Sequence, residues 1–291
     1  MSTSNPVTSH LIARKLKQKY KIPWIADLRD LWTQNHFYNK FDLIKYFERR
    51  LELKTLSDPD ALITVTERFA DELKILHKNK KVFCVTNGFD EDDSSKLTSK
   101  LKNKFIITYT GILYNGKRDP SLLFKVISQL INENIINRNL IEIRFYGPKE
   151  DWLADEIKKY NLEGIANFCG FIPREEILEK QKESQILLLL LDSNNKEEGV
   201  YPAKIFEYLG ARRPIIAFGG QGGIVKELLE KNKAGVFTEN FDMLKKIVLN
   251  YYKQFTQFGE VRYEGNASIE NYSYKLIAKR YSEIINGLIL K

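Results

Sequence analysis

The stretch from Glu197 to Phe218 carries the residue types and spacing in this chain that best suit the binding of an anion and a diol. It reads EEGVYPAKIFEYLGARRPIIAF and predicts a charged loop, a short helix that begins at Pro202, and an apolar strand. The backbone amides of the first helical turn would favour an anion such as a diphosphate. Glu207 on the same helix could accept two hydrogen bonds from the vicinal hydroxyls of a ribose. The alternative is a surface ion pair between Lys204 and Glu207, worth roughly a few tenths of a kcal/mol.

A second group of candidate residues follows the strand predicted from Phe105 to Gly111. Gly111 permits a close approach of the backbone to a phosphate, and the cations Lys117 and Arg118 could neutralise the phosphate charge. An ordinary strand–turn–helix connection explains this pattern equally well, so the glycine loop alone does not identify a site.

Arg29 and Asp30 lie just past the carboxyl end of a buried strand predicted from Ile22 to Leu28. Open α/β sheets bind ligands at this edge, which makes both residues candidates for a functional site. The alternative is a structural ion pair between Arg29 and Asp30 that caps the following segment.

The composition is that of a folded globular protein with room for two domains, since 43% of the 291 residues are hydrophobic and 29% are charged. The net charge of +8 suits phosphate-rich small molecules, nucleic acid or an anionic membrane surface. Nucleic acid is not expected, because the lysines are not interleaved with aromatic residues. Cys84 and Cys169 lack metal-ligand spacing and are expected to be buried and reduced in a cytoplasmic protein. The polar first residues do not predict a signal peptide, and no stretch approaches the ~20 apolar residues of a membrane span.

Strand and helix patterns alternate along the chain and predict an α/β fold with doubly wound parallel sheets. The run from Ile186 to Leu191 (ILLLLL) is apolar on both faces, as in the middle of a parallel sheet. The polar, unpatterned segment from Glu91 to Lys104 is the best candidate for a linker. We therefore expect a first domain over residues 1–97, a second over 98–267, and a last helical segment over 268–291.

Four stretches of the sequence resemble the GT-B glycosyltransferases, close to the large retaining family numbered four. They are the helix with Glu207, the segment ADLRDLW around Arg29, the turn NGFD at residues 87–90, and the basic pair Lys117–Arg118. The resemblance implies a GT-B-like fold of two Rossmann-like domains, the first one incomplete, with a last helix that crosses back to the first domain. It also implies a nucleoside-diphosphate sugar as the donor, with no metal or other cofactor.

The resemblance further implies roles for individual residues. The catalytic residues would be Arg29, Asp30 and Lys117, with Arg29 where many relatives carry a histidine. The donor-binding residues would be Gly111, Arg118, Gly147, Phe171, Ile172, Glu198, Gly199, Tyr201, Pro202, Lys204 and Glu207. Two positions depart from the family pattern. Ile112 and Leu113 stand where an arginine is usual, and the first of two family glutamates falls at Gly199, one residue after Glu198.

The first domain shows three convincing strands, near Ile22, Leu62 and Val82, and a complete GT-B first domain has about twice as many. We therefore expect either a shortened chain or one half of a split enzyme. An uncovered flank of a parallel sheet favours self-association or a partner chain.

The function expected from these features is transfer of a sugar to a saccharide or lipid-linked acceptor, in polysaccharide or glycolipid synthesis. The alternatives are a non-catalytic nucleotide-sugar sensor that needs a partner chain and a nucleotide-sugar epimerase of similar architecture. A cluster of cations, Arg14, Lys15, Lys17, Lys19 and Lys21, could contact the inner face of an anionic membrane. Solvated lysines on an exposed helix explain this cluster at least as well.

Overall fold

The computed structural model describes residues 1–35, 41–91, 101–192 and 199–289. The chain divides into two compact units, one formed by Met1–Gly88 with Tyr274–Lys291 and the other by Phe89–Ser273. The expected domain boundary at residues 97 and 98 and part of the expected linker lie outside the described residues.

The first unit begins with four strands that alternate with three helices. The elements are β1 (Ser2–Ser4), α1 (Thr8–Tyr20), β2 (Ile25–Leu28), α2 (Asp42–Leu56), β3 (Ala61–Thr64), α3 (Glu67–Leu76) and β4 (Lys81–Cys84). The strands form a parallel sheet in the order β1-β2-β3-β4. Thr66 caps the N-terminus of α3, because its hydroxyl accepts a hydrogen bond from the Phe69 amide at 3.2 Å.

The predicted count of three strands in this unit is wrong, because β1 is a fourth strand. Ser-Thr-Ser lacks the apolar pattern of a buried strand, yet Ser2 and Ser4 are buried. The Ser2 hydroxyl accepts a hydrogen bond from the Trp24 indole at 2.8 Å and lies 2.7 Å from Nδ1 of His10. Hydrogen bonds to residues far along the chain therefore hold this polar strand in the interior.

The second unit contains a six-stranded sheet with helices on both faces. Its elements are β5 (Phe105–Thr110), α4 (Ser121–Asn132), β6 (Ile141–Tyr146), α5 (Asp151–Lys159), β7 (Ala166–Gly170), α6 (Arg174–Glu183), β8 (Ile186–Leu190), α7 (Lys204–Ala211), β9 (Ile215–Phe218), α8 (Gly223–Asn232), β10 (Gly235–Phe237), α9 (Phe241–Phe258) and a 3₁₀ helix (Ala267–Tyr272). All strands are parallel, in the order β10-β9-β8-β5-β6-β7. The predicted doubly wound α/β fold is confirmed, and the strand order reverses between β5 and β8.

The central strand β8 shows how the apolar run predicts this sheet. Leu188 and Leu190 pack in the hydrophobic cluster on one face, whereas Leu187 and Leu189 pack in the cluster on the other. Successive side chains of a strand point to opposite faces, so only a run that is apolar at every position can be buried on both sides.

The C-terminal segment is divided at Ser273 into the 3₁₀ helix and a last helix, α10 (Tyr274–Ile289). Helix α10 belongs to the first unit, where Ile277 packs against Ile25, Ile63 and Val85. None of the described helices combines the length and the apolar character that a bilayer span requires.

Candidate functional site

A cleft of about 550 Å³ opens at the carboxyl ends of β5, β6 and β7 in the second unit. Ligands of open α/β sheets bind at this edge, next to the position where the strand order reverses. The sequence-predicted residues that line the cleft are Gly111, Arg118, Gly147, Phe171, Ile172, Pro202, Lys204 and Glu207. Segments that are far apart in sequence therefore meet at one place.

Two glycines form the floor of the cleft where β5 and β6 end. The Gly111 amide donates to the Tyr146 carbonyl at 2.7 Å, and Gly147 has φ +153°. A Cβ atom on Gly147 would lie 2.4 Å from the Gly111 carbonyl oxygen. Only glycine allows the two backbones to approach this closely, which leaves room above them for a ligand.

The loop after β5 is held by a carboxylate that the sequence analysis missed. Glu150 accepts hydrogen bonds from the amides of Leu113 (3.1 Å) and Asn115 (2.9 Å) and from the Trp152 indole (2.6 Å). Tyr114 and Asn115 both have positive φ, so the loop adopts a conformation that few sequences favour by themselves. Glu150 pairs with backbone groups 35 and 37 residues away, and no spacing rule indicates such contacts.

The glycine loop directs Arg118 toward the cleft. The Arg118 guanidinium lies 4.8 Å from the centroid of the Tyr114 ring, and only 9% of Arg118 is exposed. Lys117 is exposed and is not among the residues that line the cleft. Of the basic pair predicted from the sequence, Arg118 is therefore the member with its charge at the site.

Lys204 supplies a second cation from a different element. It is the first residue of α7, and its Nζ lies 4.0 Å from the centroid of the Tyr109 ring. A Cβ atom built on Gly111 would lie 2.6 Å from this nitrogen. The Tyr109 hydroxyl donates to the Ile112 carbonyl at 2.8 Å, and burial raises its pKa, so the ring under the ammonium stays neutral.

Glu207 follows one turn later and lines the same cleft. Its carboxylate lies 3.5 Å from the side-chain nitrogen of Gln181, which is buried. The next residue, Tyr208, accepts a hydrogen bond from the Thr110 amide at 3.0 Å, and burial raises its pKa to about 12. The contact of Tyr208 with the end of β5 fixes the rotation of α7 and so directs Glu207 to the cleft.

Pro202 is not the first helical residue, and this prediction is wrong by two positions. Helix α7 begins at Lys204, and the Pro202 carbonyl accepts a hydrogen bond from the Ile205 amide at 3.0 Å. A turn of the i to i+3 type therefore precedes the helix. Pro202 itself is buried and lines the cleft.

Three residues of the preceding loop have other positions. Tyr201 packs edge-on against Phe206, with ring centroids 5.5 Å apart, and is not among the residues that line the cleft. Gly199 borders a separate small cavity with Asp192 and the glycine loop at residues 220–223. Glu198 lies outside the described residues.

An exposed aromatic ring forms one rim of the cleft. Phe171 follows β7 and is 78% exposed, next to the half-buried Ile172. The residues that line the cleft without having been predicted are Thr110, Ile112, Tyr114, Tyr146, Gly170, Arg174, Ile177 and Ala203. Arg174 and Ile177 have helical spacing directly after Phe171, a pattern by which both could have been found.

Arg29 and Asp30 belong to the first unit, at the carboxyl end of β2. The Arg29 Nε lies 3.2 Å from the Asp27 carboxylate, and its Nη1 donates to Val85 O and Asn87 Oδ1, both at 3.2 Å. Burial raises the pKa of Asp27, and the Arg29 charge opposes this shift. Asp30 is exposed, and the ion pair that the structure shows for Arg29 is with Asp27, not the Arg29–Asp30 pair offered as the alternative to a functional site.

Comparisons with known proteins bear on the family and on the fold of this chain. Residues 89–254, more than half of the chain, match the family described as glycosyl transferases group 1. No curated protein sequence is similar enough to count as a relative. In the described part of the chain, no three His, Cys, Asp or Glu side chains lie together in a way that could hold a metal ion.

Solved structures share the fold over nearly the whole chain. HepE of Anabaena in complex with UDP has a TM-score of 0.73 and 15% identity, over 98% of this chain and 78% of HepE. Sucrose-phosphate synthase from Thermosynechococcus elongatus has a TM-score of 0.64 and 13% identity, over 97% of this chain and 72% of that protein. A glycosyltransferase from Rickettsia africae has a TM-score of 0.67 and 15% identity, over 96% and 80%.

Proposed function

The chain belongs to the family of glycosyl transferases group 1, and we propose that it moves a sugar from a nucleoside-diphosphate sugar to an acceptor hydroxyl with retention of configuration. The observation that carries this proposal is the convergence of Lys204, Arg118 and Glu207 on a cleft floored by Gly111 and Gly147. Two cations, a carboxylate and a glycine floor match the charges of a diphosphate and the hydroxyls of a ribose.

The donor lies in this cleft with its diphosphate against Lys204 and Arg118. Glu207 accepts hydrogen bonds from the ribose hydroxyls, and the base rests on Phe171 and Ile172. HepE binds UDP, and a second HepE structure contains UDP-glucose, which supports a uridine nucleotide as the first donor to test.

Negative charge develops on the diphosphate as the bond between the anomeric carbon and the phosphate oxygen breaks. Preorganised cations aimed at that oxygen stabilise the transition state more than the ground state. The acceptor oxygen forms the new bond to the anomeric carbon and passes its proton to the departing diphosphate oxygen. The proposal includes no resident metal or other cofactor.

The acceptor is a saccharide or a lipid-linked alcohol, and we assign its binding to the first unit. Arg29 and Asp30 lie at the carboxyl edge of that sheet, where ligands of parallel sheets bind. Asp27 and the Val85 carbonyl fix the Arg29 guanidinium, so its charge is held in one place.

The test is product analysis with a panel of nucleotide sugars and saccharide or lipid-linked acceptors, each with and without EDTA. We expect a glycosylated acceptor with retained anomeric configuration and release of a nucleoside diphosphate. A new nucleotide sugar formed without acceptor would indicate an epimerase. Tight binding of the donor without any turnover across the panel would indicate a sensor, and either result would overturn the proposal.

A further inference from the structure

Helix α2 exposes its apolar side chains. Phe41, which directly precedes the helix, is 83% exposed, Leu43 is 69% exposed and Phe47 is 61% exposed. The other large apolar side chains exposed on this helix are Ile44, Tyr46, Leu51 and Leu53. Single exposed apolar residues are ordinary in proteins, but a group of this size on one helix marks an interaction surface.

The polar side of α2 faces the interior of the unit. Glu52 is fully buried, and it accepts hydrogen bonds from the amide of Thr33, at 3.3 Å, and from its hydroxyl. The Glu52 carboxylate also lies 3.8 Å from the Arg49 guanidinium and 3.9 Å from Nε2 of His77. A buried carboxylate with these partners is costly to expose or to leave unpaired. It therefore fixes the rotation of the helix, with the apolar side outward.

Cations accompany the outward apolar residues. Arg50 and Lys54 are exposed, and the Arg50 guanidinium lies 5.6 Å from the centroid of the Tyr46 ring. Of the acids of α2, Glu52 is buried, Glu48 is half-buried, and Asp42 is exposed in the first turn, where its carboxylate lies 3.9 Å from Nζ of Lys45.

The neighbouring helix α1 also exposes apolar side chains beside cations. Ile12, Leu16 and Tyr20 recur every four residues and are 56%, 45% and 58% exposed. The exposed cations Lys15 and Lys19 lie among them, and α1 contains no acidic residue. Arg14 and Lys17 pair with Asp58 and Asp60, so the exposed charge of this helix comes from the other lysines.

We propose that the outward face of α2, together with α1, binds the surface of an anionic membrane. Interfacial helices insert aromatic and aliphatic side chains at the headgroup boundary and place Lys and Arg beside them for the lipid phosphates. A second copy of the chain is a poorer occupant, because a two-fold contact would set this cation-rich face against itself. The inference concerns a surface separate from the donor cleft and stands without the proposed function.

The experiment is sedimentation of the full chain with vesicles of phosphatidylcholine alone and of phosphatidylcholine with about one third phosphatidylglycerol. We expect binding to the anionic vesicles and little binding to the neutral ones. The double variant Phe41→Ser/Phe47→Ser should lower the bound fraction about fivefold or more. The matched control is Ile75→Ser, because Ile75 is 73% exposed on α3 of the same unit, and it should bind like the parent chain.

Three results would overturn the proposal. The first is equal sedimentation of the parent chain with neutral and with anionic vesicles, and the second is equal sedimentation of the parent chain and the double variant with anionic vesicles. The third is a dimer, seen by analytical ultracentrifugation without lipid, that the double variant converts to monomer. Thermal unfolding and the circular dichroism spectrum of each variant serve as folding controls.

Discussion

The ammonium nitrogen of Lys204 lies 4.0 Å from the centroid of the Tyr109 ring, although the two residues come from a helix and a strand far apart in the chain. This contact brings a cation to Gly111, beside the loop where Ile112 and Leu113 replace the arginine that the family resemblance implies. Leu113 is an apolar side chain that packs in the interior, so it cannot supply that charge. Lys204 is therefore the residue that we propose supplies this charge.

Replacement of Gly111 by alanine should displace the Lys204 ammonium. The added Cβ would lie 2.6 Å from Nζ, and the flexible lysine is the group that moves. We expect the transfer rate to fall about tenfold or more, because the cation leaves the diphosphate. The control is Gly164→Ala, which also places alanine at a positive φ (+76°) but at a position where the added Cβ meets nothing within 4 Å. Equal rates in the two variants would contradict the assignment of Lys204.

Glu207→Gln should weaken nucleotide binding about thirtyfold, since hydrogen bonds to a charged acceptor are worth roughly 1.5–3 kcal/mol. Calorimetry with UDP and with its 2′-deoxy analogue distinguishes the loss of a ribose contact from a general loss of nucleotide affinity. The parent chain should prefer UDP, and the variant should lose that preference. Glu227→Gln, on the exposed side of α8, is the control and should bind like the parent. An unchanged preference in Glu207→Gln would remove the ribose contact from the account.

Glu150→Gln should loosen the loop that carries Arg118. Both carboxylate oxygens accept hydrogen bonds, so an amide places an NH₂ group against a backbone or indole donor. We expect weaker binding of UDP and nearly unchanged binding of uridine, measured by calorimetry. The surface variant Glu163→Gln should behave as the parent. If uridine affinity falls as much as UDP affinity, Glu150 does not act through the phosphate loop.

The buried His10 predicts a pH dependence of stability. Burial lowers its pKa from 6.5 to about 4, so the folded state holds the neutral imidazole. The stability that this neutral form contributes is fully present above pH 6.5 and is lost as the pH falls toward 4. The loss is at most about 3 kcal/mol.

Chemical denaturation of the parent and of His10→Gln across this pH range checks the prediction. The pKa of Asp27 is raised, so its contribution has the opposite sign, but it is common to both chains. The free energy of unfolding should fall more steeply with acid in the parent. Parallel curves would contradict the role of His10.

The sequence predicts a strand well where burial of that strand requires a pattern of apolar residues. Strands β5 and β8 begin at the predicted residues and end one residue earlier than predicted, and β8 follows from an apolar run that no helix face would need. Strands β1 and β10 were missed, because three residues carry too little pattern and β1 is polar.

The site was only partly predictable for a different reason. Glycine and proline occur where the backbone adopts particular local conformations, so their positions can be interpreted directly from the sequence. Arg29 follows β2 and pairs with Asp27, two residues earlier in the chain. The positions of Lys204 over Tyr109 and of Glu150 under the glycine loop depend on contacts between distant segments. Spacing along one element contains no information about them.

The most direct test of the central claim is the affinity difference between UDP and UMP, measured by calorimetry for the parent chain and for Lys204→Met. A cation on the diphosphate predicts that the parent binds UDP at least about tenfold more tightly than UMP. The variant should lose most of that difference and keep its affinity for uridine, while Lys117→Met should behave as the parent. If Lys204→Met keeps the full preference for UDP, or if the parent shows none, the diphosphate does not lie at Lys204 and the account is wrong.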